Sequence, residues 1–301
     1  MRPFFHLCRG GNPGSDILRE LVNLSMIKKL LCAAVLAVFT VLASPVLAKD
    51  VFVVGIPVEG PWNFFQDDGE QLTGIDIDVV RTLGRESGFK FEFKPMPASR
   101  ALVDLKNENI DAVAGMSTHM ADTNGFPRLK NPYMAGIRQY VYQKSDAARP
   151  VQKYSHLYSH VVGIIRTFSY FDELDDDPLI VKDYSDDPEI QFGKLLSGEL
   201  DVVVASEWEA AYYMATHKLE RHTFVPAAVN LENHRCDADR VMAFGPSFDR
   251  GIIRKLQRTL DVLVSDGLVE SIADSYRTRF LETGAAAGEA GQDSGSAAGK
   301  K

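Results

Sequence analysis

One pattern is written twice in this chain, 90 residues apart. Leu105-Lys106-Asn107-Glu108-Asn109-Ile110-Asp111-Ala112-Val113-Ala114 returns as Leu195-Leu196-Ser197-Gly198-Glu199-Leu200-Asp201-Val202-Val203-Val204. Each copy reads as the end of an amphipathic helix, a tight polar turn, and a short apolar strand opened by Asp. Each strand then runs into small and hydroxylated residues, Gly115-Met116-Ser117-Thr118 in one copy and Ala205-Ser206 in the other. A helix feeding a buried strand is half of a βαβ unit, and sheets of such units bind ligands at the carboxyl ends of their strands. Two copies suggest two similar lobes offering strand ends to a shared cleft, although two unrelated αβ units would leave the same trace.

The first 48 residues stand apart from this pattern. Met26-Ile27-Lys28-Lys29, the apolar run Leu30–Leu42 and the small residues around Val46-Leu47-Ala48 read as a signal peptide over 26–48, with Lys49 as the mature N-terminus and a periplasmic destination. Residues 1–25 read as an upstream start-site artefact. The apolar run is short for a membrane span and ends at Ser44-Pro45. Removing five basic and two acidic residues with Met1–Ala48 leaves 28 Lys and Arg against 39 Asp and Glu, a net charge of −11. That balance argues against nucleic acid and anionic membranes as partners. Of Cys8, Cys32 and Cys236 only Cys236 follows the leader, so no intrachain disulfide is expected after export. Residues 284–301 are Gly, Ala, Ser and charge, and read as a disordered tail.

Within the body, Val51–Ile56 is apolar enough for a buried strand, and Gly60-Pro61-Trp62-Asn63-Phe64 breaks it. Gly74-Ile75-Asp76-Ile77-Asp78 opens a helix that Ser87-Gly88 closes. Phe89-Lys90-Phe91-Glu92-Phe93 alternates as a half-exposed strand, and Ser99 starts the next helix. Tyr140-Val141-Tyr142 reads as a strand leaving the first lobe, and residues 145–150 as a linker. Val161–Ile165 begins the second lobe, Glu207–Thr216 reads as a helix, Val241–Phe244 as a strand, and helices follow over Ile252–Ser265 and Leu268–Phe280. The expected division is 49–142 with 237–283 for lobe 1 and 143–236 for lobe 2.

The ordered set of an aromatic-Pro break, Gly74-Ile75-Asp76-Ile77-Asp78, Arg100-Ala101-Leu102, Ile110-Asp111, Gly115-Met116-Ser117, Asn131-Pro132-Tyr133, Val162-Gly163-Ile164 and the Asp201 strand resembles the extracytoplasmic solute-binding proteins of family 3. These are the polar-amino-acid receptors of ABC importers. The resemblance implies a two-lobed α/β fold of the periplasmic-binding-protein type II class, with a hinge and a central ligand cleft. It also implies a monomer that binds a small molecule, hands it to an ABC transporter permease, and needs no cofactor.

The family places an Arg for the ligand α-carboxylate shortly after the first strand end; here Asp122 stands about there. The acid expected after the second strand falls on Ser206, with Glu207 one step later. Both halves of an amino-acid clamp are altered, so the expected solute is small and polar, anionic or amino-acid-like. Arg100 is a candidate partner for it, or else an exposed helix-start arginine. Arg166, Thr167, Phe168, Ser169 and Tyr170 lie between a strand and a helix start, where free N–H groups favour an anion; a capped helix with a solvated Arg is the bland alternative. Ser117, Thr118 and His119 would line the cleft from the first strand end. Trp62 and Phe64 would wall it or pack in the core. Asp76, Asp78, Asp111 and Asp201 read as structural acids, and Tyr133 as cleft or hinge.

His156 and His160 are spaced i,i+4 without an evident third ligand, so no metal site is expected. No phosphate cradle, nucleophile elbow or metalloprotease helix is present in the sequence. Two other readings stay open: a ligand-sensing module with a membrane partner, and an enzyme like the cyclohexadienyl dehydratases, which resemble this family. The latter needs a general acid in the cleft, with Glu207 and His119 as its candidates.

Overall fold

The computed structural model describes residues 51–66, 69–166, 168, 170–229 and 239–282. The expected leader over 26–48, the residues before it, Cys236 and the tail over 284–301 lie outside the described residues. Two sheets organise the chain. The first has the order β11-β5-β1-β4, formed by β1 (Val51–Pro57), β4 (Lys90–Met96), β5 (Ala112–Met116) and β11 (Val241–Phe244). The second has the order β10-β6-β9-β7-β8, formed by β6 (Gln139–Lys144), β7 (Val161–Ile165), β8 (Val181–Ser185), β9 (Val202–Ser206) and β10 (Phe224–Pro226). A small ribbon of β2 (Phe64–Phe65) and β3 (Leu72–Thr73) precedes helix α1 (Ile75–Ser87).

The duplicated sequence is a duplicated geometry. In the first sheet β1 pairs in parallel with β5, Gly55 opposite Val113; in the second β7 pairs in parallel with β9, Gly163 opposite Val203. The Asp111 carboxylate accepts from the Val53 amide at 2.7 Å, and the Asp111 amide donates back to the Val53 carbonyl at 2.9 Å. Asp201 does the same to Val161, at 2.8 Å and 3.2 Å. Each Asp thus pins the start of its parallel pair. The residue before each Asp explains a glycine: a Cβ on Gly55 would sit 2.6 Å from Ile110 Cδ1, and one on Gly163 2.6 Å from Leu200 Cδ1. Asp201→Ala is expected to cost about 1–3 kcal/mol, because a partly buried N–H loses its acceptor. Asp201→Asn, which keeps an acceptor oxygen, should cost less in the same urea titration.

The pairing of β6 settles which sheet it joins. Tyr140-Val141-Tyr142 does not belong to the first sheet: β6 lies between β9 and β10, with Val141 opposite Val204 on one side and Tyr142 opposite Pro226 on the other. The second sheet therefore starts at Gln139, ahead of the expected division after Tyr142.

Helices cover the sheets: α2 (Ala98–Lys106), α3 (Thr118–Thr123), α4 (Asp172–Asp176), α5 (Pro188–Ser197), α6 (Glu207–Thr216), α7 (Arg250–Ser265) and α8 (Leu268–Arg277). α1 ends where Gly88 takes a φ of 78°, the left-handed cap that glycine supplies without strain. α6 serves two cores at once. Trp208 and Tyr212, one helical step of four apart, join the first-sheet core with Trp62, Phe64 and Phe280. Ala210, Tyr213 and Met214 on another face join the second-sheet core with Phe192 and Phe224. No helix among the described residues is long and apolar enough to cross a membrane.

Candidate functional site

The carboxyl ends of the parallel strands converge on a cavity. Pro57 ends β1 and Glu59 follows it, Gly115 and Met116 end β5 with Ser117 just after, Ala98, Ala101 and Leu102 come from α2, Met120 from α3, and Phe168 from the segment after β7. The cavity is open to solvent. Its walls are chiefly apolar, with Glu59 as the charged residue among them. A smaller cavity lies on the second-sheet side, lined among others by Gln139, Gln191, Tyr170 and Glu209. Phe168 borders both cavities.

Beneath the larger cavity is a buried ionic cluster that sequence reading missed. Arg240, just ahead of β11, is 2% exposed. Its Nη2 donates to Glu59 Oε1 and to Asp76 Oδ2, each at 2.6 Å, and its Nε donates to Asp76 Oδ1 at 2.9 Å. Tyr133 Oη donates to Asp76 Oδ1 and Asn63 Nδ2 to Asp76 Oδ2, each at 2.8 Å. The guanidinium lies 4.4 Å from the Trp62 ring centre, a cation–π contact away from water. Asp76 is therefore satisfied on both oxygens, while the cluster holds two carboxylates against one guanidinium. Gly115 makes room for it: its φ is +80°, and a Cβ there would collide with Arg240 Nη2 and Asp76 Oδ2.

Burial is the largest influence on Glu59 and pushes its carboxyl up to about 7; Arg240 opposes this, while Glu209 and Asp76 add to it. Burial and the adjacent Asp76 push the Tyr133 hydroxyl well above its ordinary range, so it remains a donor. The sign for stability follows from Glu59 ionising near pH 4.5 when unfolded and near 7 when folded. Its cost is absent below pH 4.5, grows as pH rises to 7, and is complete above. A gap of that size corresponds to about 3 kcal/mol. Glu59→Gln should therefore gain stability relative to the native chain between pH 4.5 and 8, measured by thermal melts across that range.

The residues anticipated from sequence fall into distinct groups. Ser117 and Phe168 line the larger cavity, and Tyr170 the smaller one. Ser117 also caps α3, accepting from the Met120 amide at 3.0 Å. Tyr170 is buried, and its hydroxyl accepts from the Ile165 amide at 2.9 Å, so it braces the end of β7. Thr118 follows Ser117 into α3, and His119 is exposed with Nε2 3.4 Å from Thr123 Oγ1. Thr167 and Ser169 lie outside the described residues.

Trp62 and Phe64 do not wall the cavity. Trp62 is enclosed by Arg240 and Trp208 and donates to Glu209 Oε1 at 3.3 Å; Phe64 packs on Tyr212, Tyr276 and Phe280. Arg100 and Arg166 are not among the lining residues either. Arg100 is exposed and pairs with Asp104 at 2.9 Å along its own helix, and Arg166 is exposed beside Asp186 at 3.6 Å and over the Tyr184 ring. Asp122, about where the resemblance led us to expect an Arg, pairs with Arg128 at 2.7 Å.

Ser206 is buried and caps α6, but its acid partner is Glu209 rather than Glu207, which is exposed. Glu209 Oε2 accepts from the Ser206 amide at 2.7 Å and from Ser206 Oγ at 2.9 Å, a capping box turned toward the interior. His160 is buried with both ring nitrogens on backbone carbonyls, those of His156 and Arg149. Among the described residues no group of three or more His, Cys, Asp or Glu is placed to hold a metal ion.

A family model for bacterial extracellular solute-binding proteins, family 3, matches residues 52–279. The L-cystine-binding protein TcyJ of Bacillus subtilis is 23% identical over 186 residues, 60% of this chain and 69% of that protein. An ancestral arginine-binding protein bound to arginine superposes with a TM-score of 0.61 at 21% identity, covering 76% of this chain and 98% of its own. The amino acid ABC transporter substrate-binding protein AbpA of Streptococcus pneumoniae, bound to L-arginine, gives 0.65 at 19% identity, covering 77% and 97%. At these identities the two structures share the two-lobed fold with this chain.

Proposed function

The chain belongs to the bacterial extracellular solute-binding proteins, family 3, and from that footing we propose that it captures a small polar solute outside the cytoplasm and presents it to the permease of an ABC importer. The observation that supports this reading is the cavity at the strand ends. Residues of β1, β5, α2 and α3 form one side of it, and Phe168 of the second-sheet side faces them. A solute held there would be desolvated between the two lobes, each charge-assisted hydrogen bond contributing about 1.5–3 kcal/mol. In the same reading the leader over 26–48 is removed on export to the periplasm and the receptor acts as a monomer.

The relatives' printed ligands, cystine and arginine, make amino acids the natural first solutes to try. Arg100 and Arg166, the residues from which an anionic solute was expected, are paired at the surface. The solute's charge is therefore an open variable in the test. A thermal-shift screen of the full chain against amino acids, dicarboxylates, amines and small peptides is the experiment. A solute at 100 times its Kd should add about 2.7 kcal/mol of stability. Absence of any shift at millimolar concentrations would remove the receptor reading. Binding without turnover is also expected: the general-acid candidates of a dehydratase-like enzyme, Glu207 and His119, are both exposed and outside the cavity lining. Incubation with prephenate should return it unchanged.

A further inference from the structure

We infer that the solute of this cavity is a small organic amine, bound as its ammonium ion and carrying no carboxylate. The inference rests on the receptor reading and concerns the chemistry of the same site. The first observation is the charge around the cavity. Among the described residues Glu59 is the one charged residue lining it, and the buried cluster behind Glu59 sets two carboxylates against one guanidinium. Four arginines are paired with carboxylates outside or beneath the cavity: Arg100 with Asp104, Arg166 with Asp186, Arg128 with Asp122, and Arg240 with Asp76 and Glu59 against the Trp62 face. A ligand carboxylate entering this cavity would meet the Glu59 carboxylate, whose Arg240 partner is already shared with Asp76, a desolvated like-charge contact.

The second observation is independent and lies across Phe168. Gln139 and Gln191, both more than nine-tenths buried, line the smaller cavity, and each has a side-chain oxygen with no hydrogen-bond partner among the described residues. The Gln191 amide is fixed in orientation because its Nε2 donates to the carbonyls of Ile164 at 3.1 Å and Asp183 at 3.0 Å. Glu209 adds a carboxylate to the same lining. Two acceptors without donors thus lie in the smaller cavity, across Phe168 from the Glu59 carboxylate. Buried acceptors of this kind are satisfied by a donor-only group, and an ammonium has three donors and no acceptor. Pro57, Ala98, Ala101, Leu102, Val113 and Met120 then supply an apolar wall for the amine's carbon body.

Calorimetric titration of the full chain at pH 8 against two matched sets tests the assignment. One set is phenethylamine, phenylalanine and 3-phenylpropionate; the other is isoamylamine, leucine and 4-methylpentanoate. Within each set the carbon body is shared and only the charged groups differ. At least one amine is expected to bind tenfold or more tighter than its matching amino acid and acid, and Glu59→Gln to weaken it tenfold or more while melting cooperatively. Tighter binding of an amino acid or acid than of its amine overturns the assignment and leaves the receptor reading intact. Unchanged amine affinity in Glu59→Gln overturns it as well, since the ammonium then lies elsewhere. If none of the six binds, the amine assignment falls, and the receptor reading is decided separately by the broad thermal-shift screen.

Discussion

Arg240→Met is expected to destabilise the protein by about 3–5 kcal/mol, because it leaves the Asp76 and Glu59 carboxylates buried without their counter-ion. Asp76 would keep its bonds from Tyr133 and Asn63, but Glu59 would lose the donor 2.6 Å away. The methionine fills most of the arginine's volume, so packing against Trp62 is largely retained and the loss reports on charge. Adding Asp76→Asn to Arg240→Met removes one of the stranded charges and should recover part of the stability. Urea unfolding of the single and double variants measures both. An Arg240→Met chain as stable as the native one would mean that the cluster is not ionised as described.

Gly115→Ala is the second large effect, expected at about 2–4 kcal/mol. Its φ of +80° disfavours any Cβ, and the added methyl would meet Arg240 Nη2 and Asp76 Oδ2, both held in place by the cluster's hydrogen bonds. The change also lies in the cavity lining, so solute affinity should fall together with stability. Gly198→Ala gives the contrast. It shares a positive φ of 82°, yet nothing lies within 4 Å of its would-be Cβ, so only backbone strain of about 1 kcal/mol is expected.

Much of this architecture is legible in the chain because local pattern and tertiary role agree. The Ile110-Asp111 and Leu200-Asp201 copies mark two parallel strand pairs, and the Gly at Gly55 and Gly163 complements the large residue before each Asp. The capping signature Ser206-x-x-Glu209 is also visible in sequence, although attention to the acid next to Ser206 favoured Glu207. The i,i+4 pair Arg100 and Asp104 was equally present, and it satisfies the arginine at the helix surface.

What local pattern could not show was non-local. Tyr140-Val141-Tyr142 reads alike in either lobe, and its place in the second sheet is set by pairing with a strand about 60 residues further on. The ionic cluster joins Glu59, Asp76 and Arg240, which lie far apart in the chain. One signal for it existed. Asp76 shares a helix face with Val79, Val80 and Leu83, all buried, so helical periodicity alone places a carboxylate inside the core. An acid in that position demands a buried cation, and Arg240 beside the apolar run Val241–Phe244 was a candidate to supply it.

The central claim, that a solute is held at the carboxyl ends of the two sheets against Phe168, is tested most directly by amide hydrogen exchange on the full chain. The comparison is between the free protein and the protein saturated with whichever solute of the screen raises the melting temperature most. Slowed exchange concentrated at the end of β5 and the start of α3, around Gly115–Met120, and at the segment following β7 is the expected result. Protection confined to other parts of the molecule, with these segments unchanged, would contradict it.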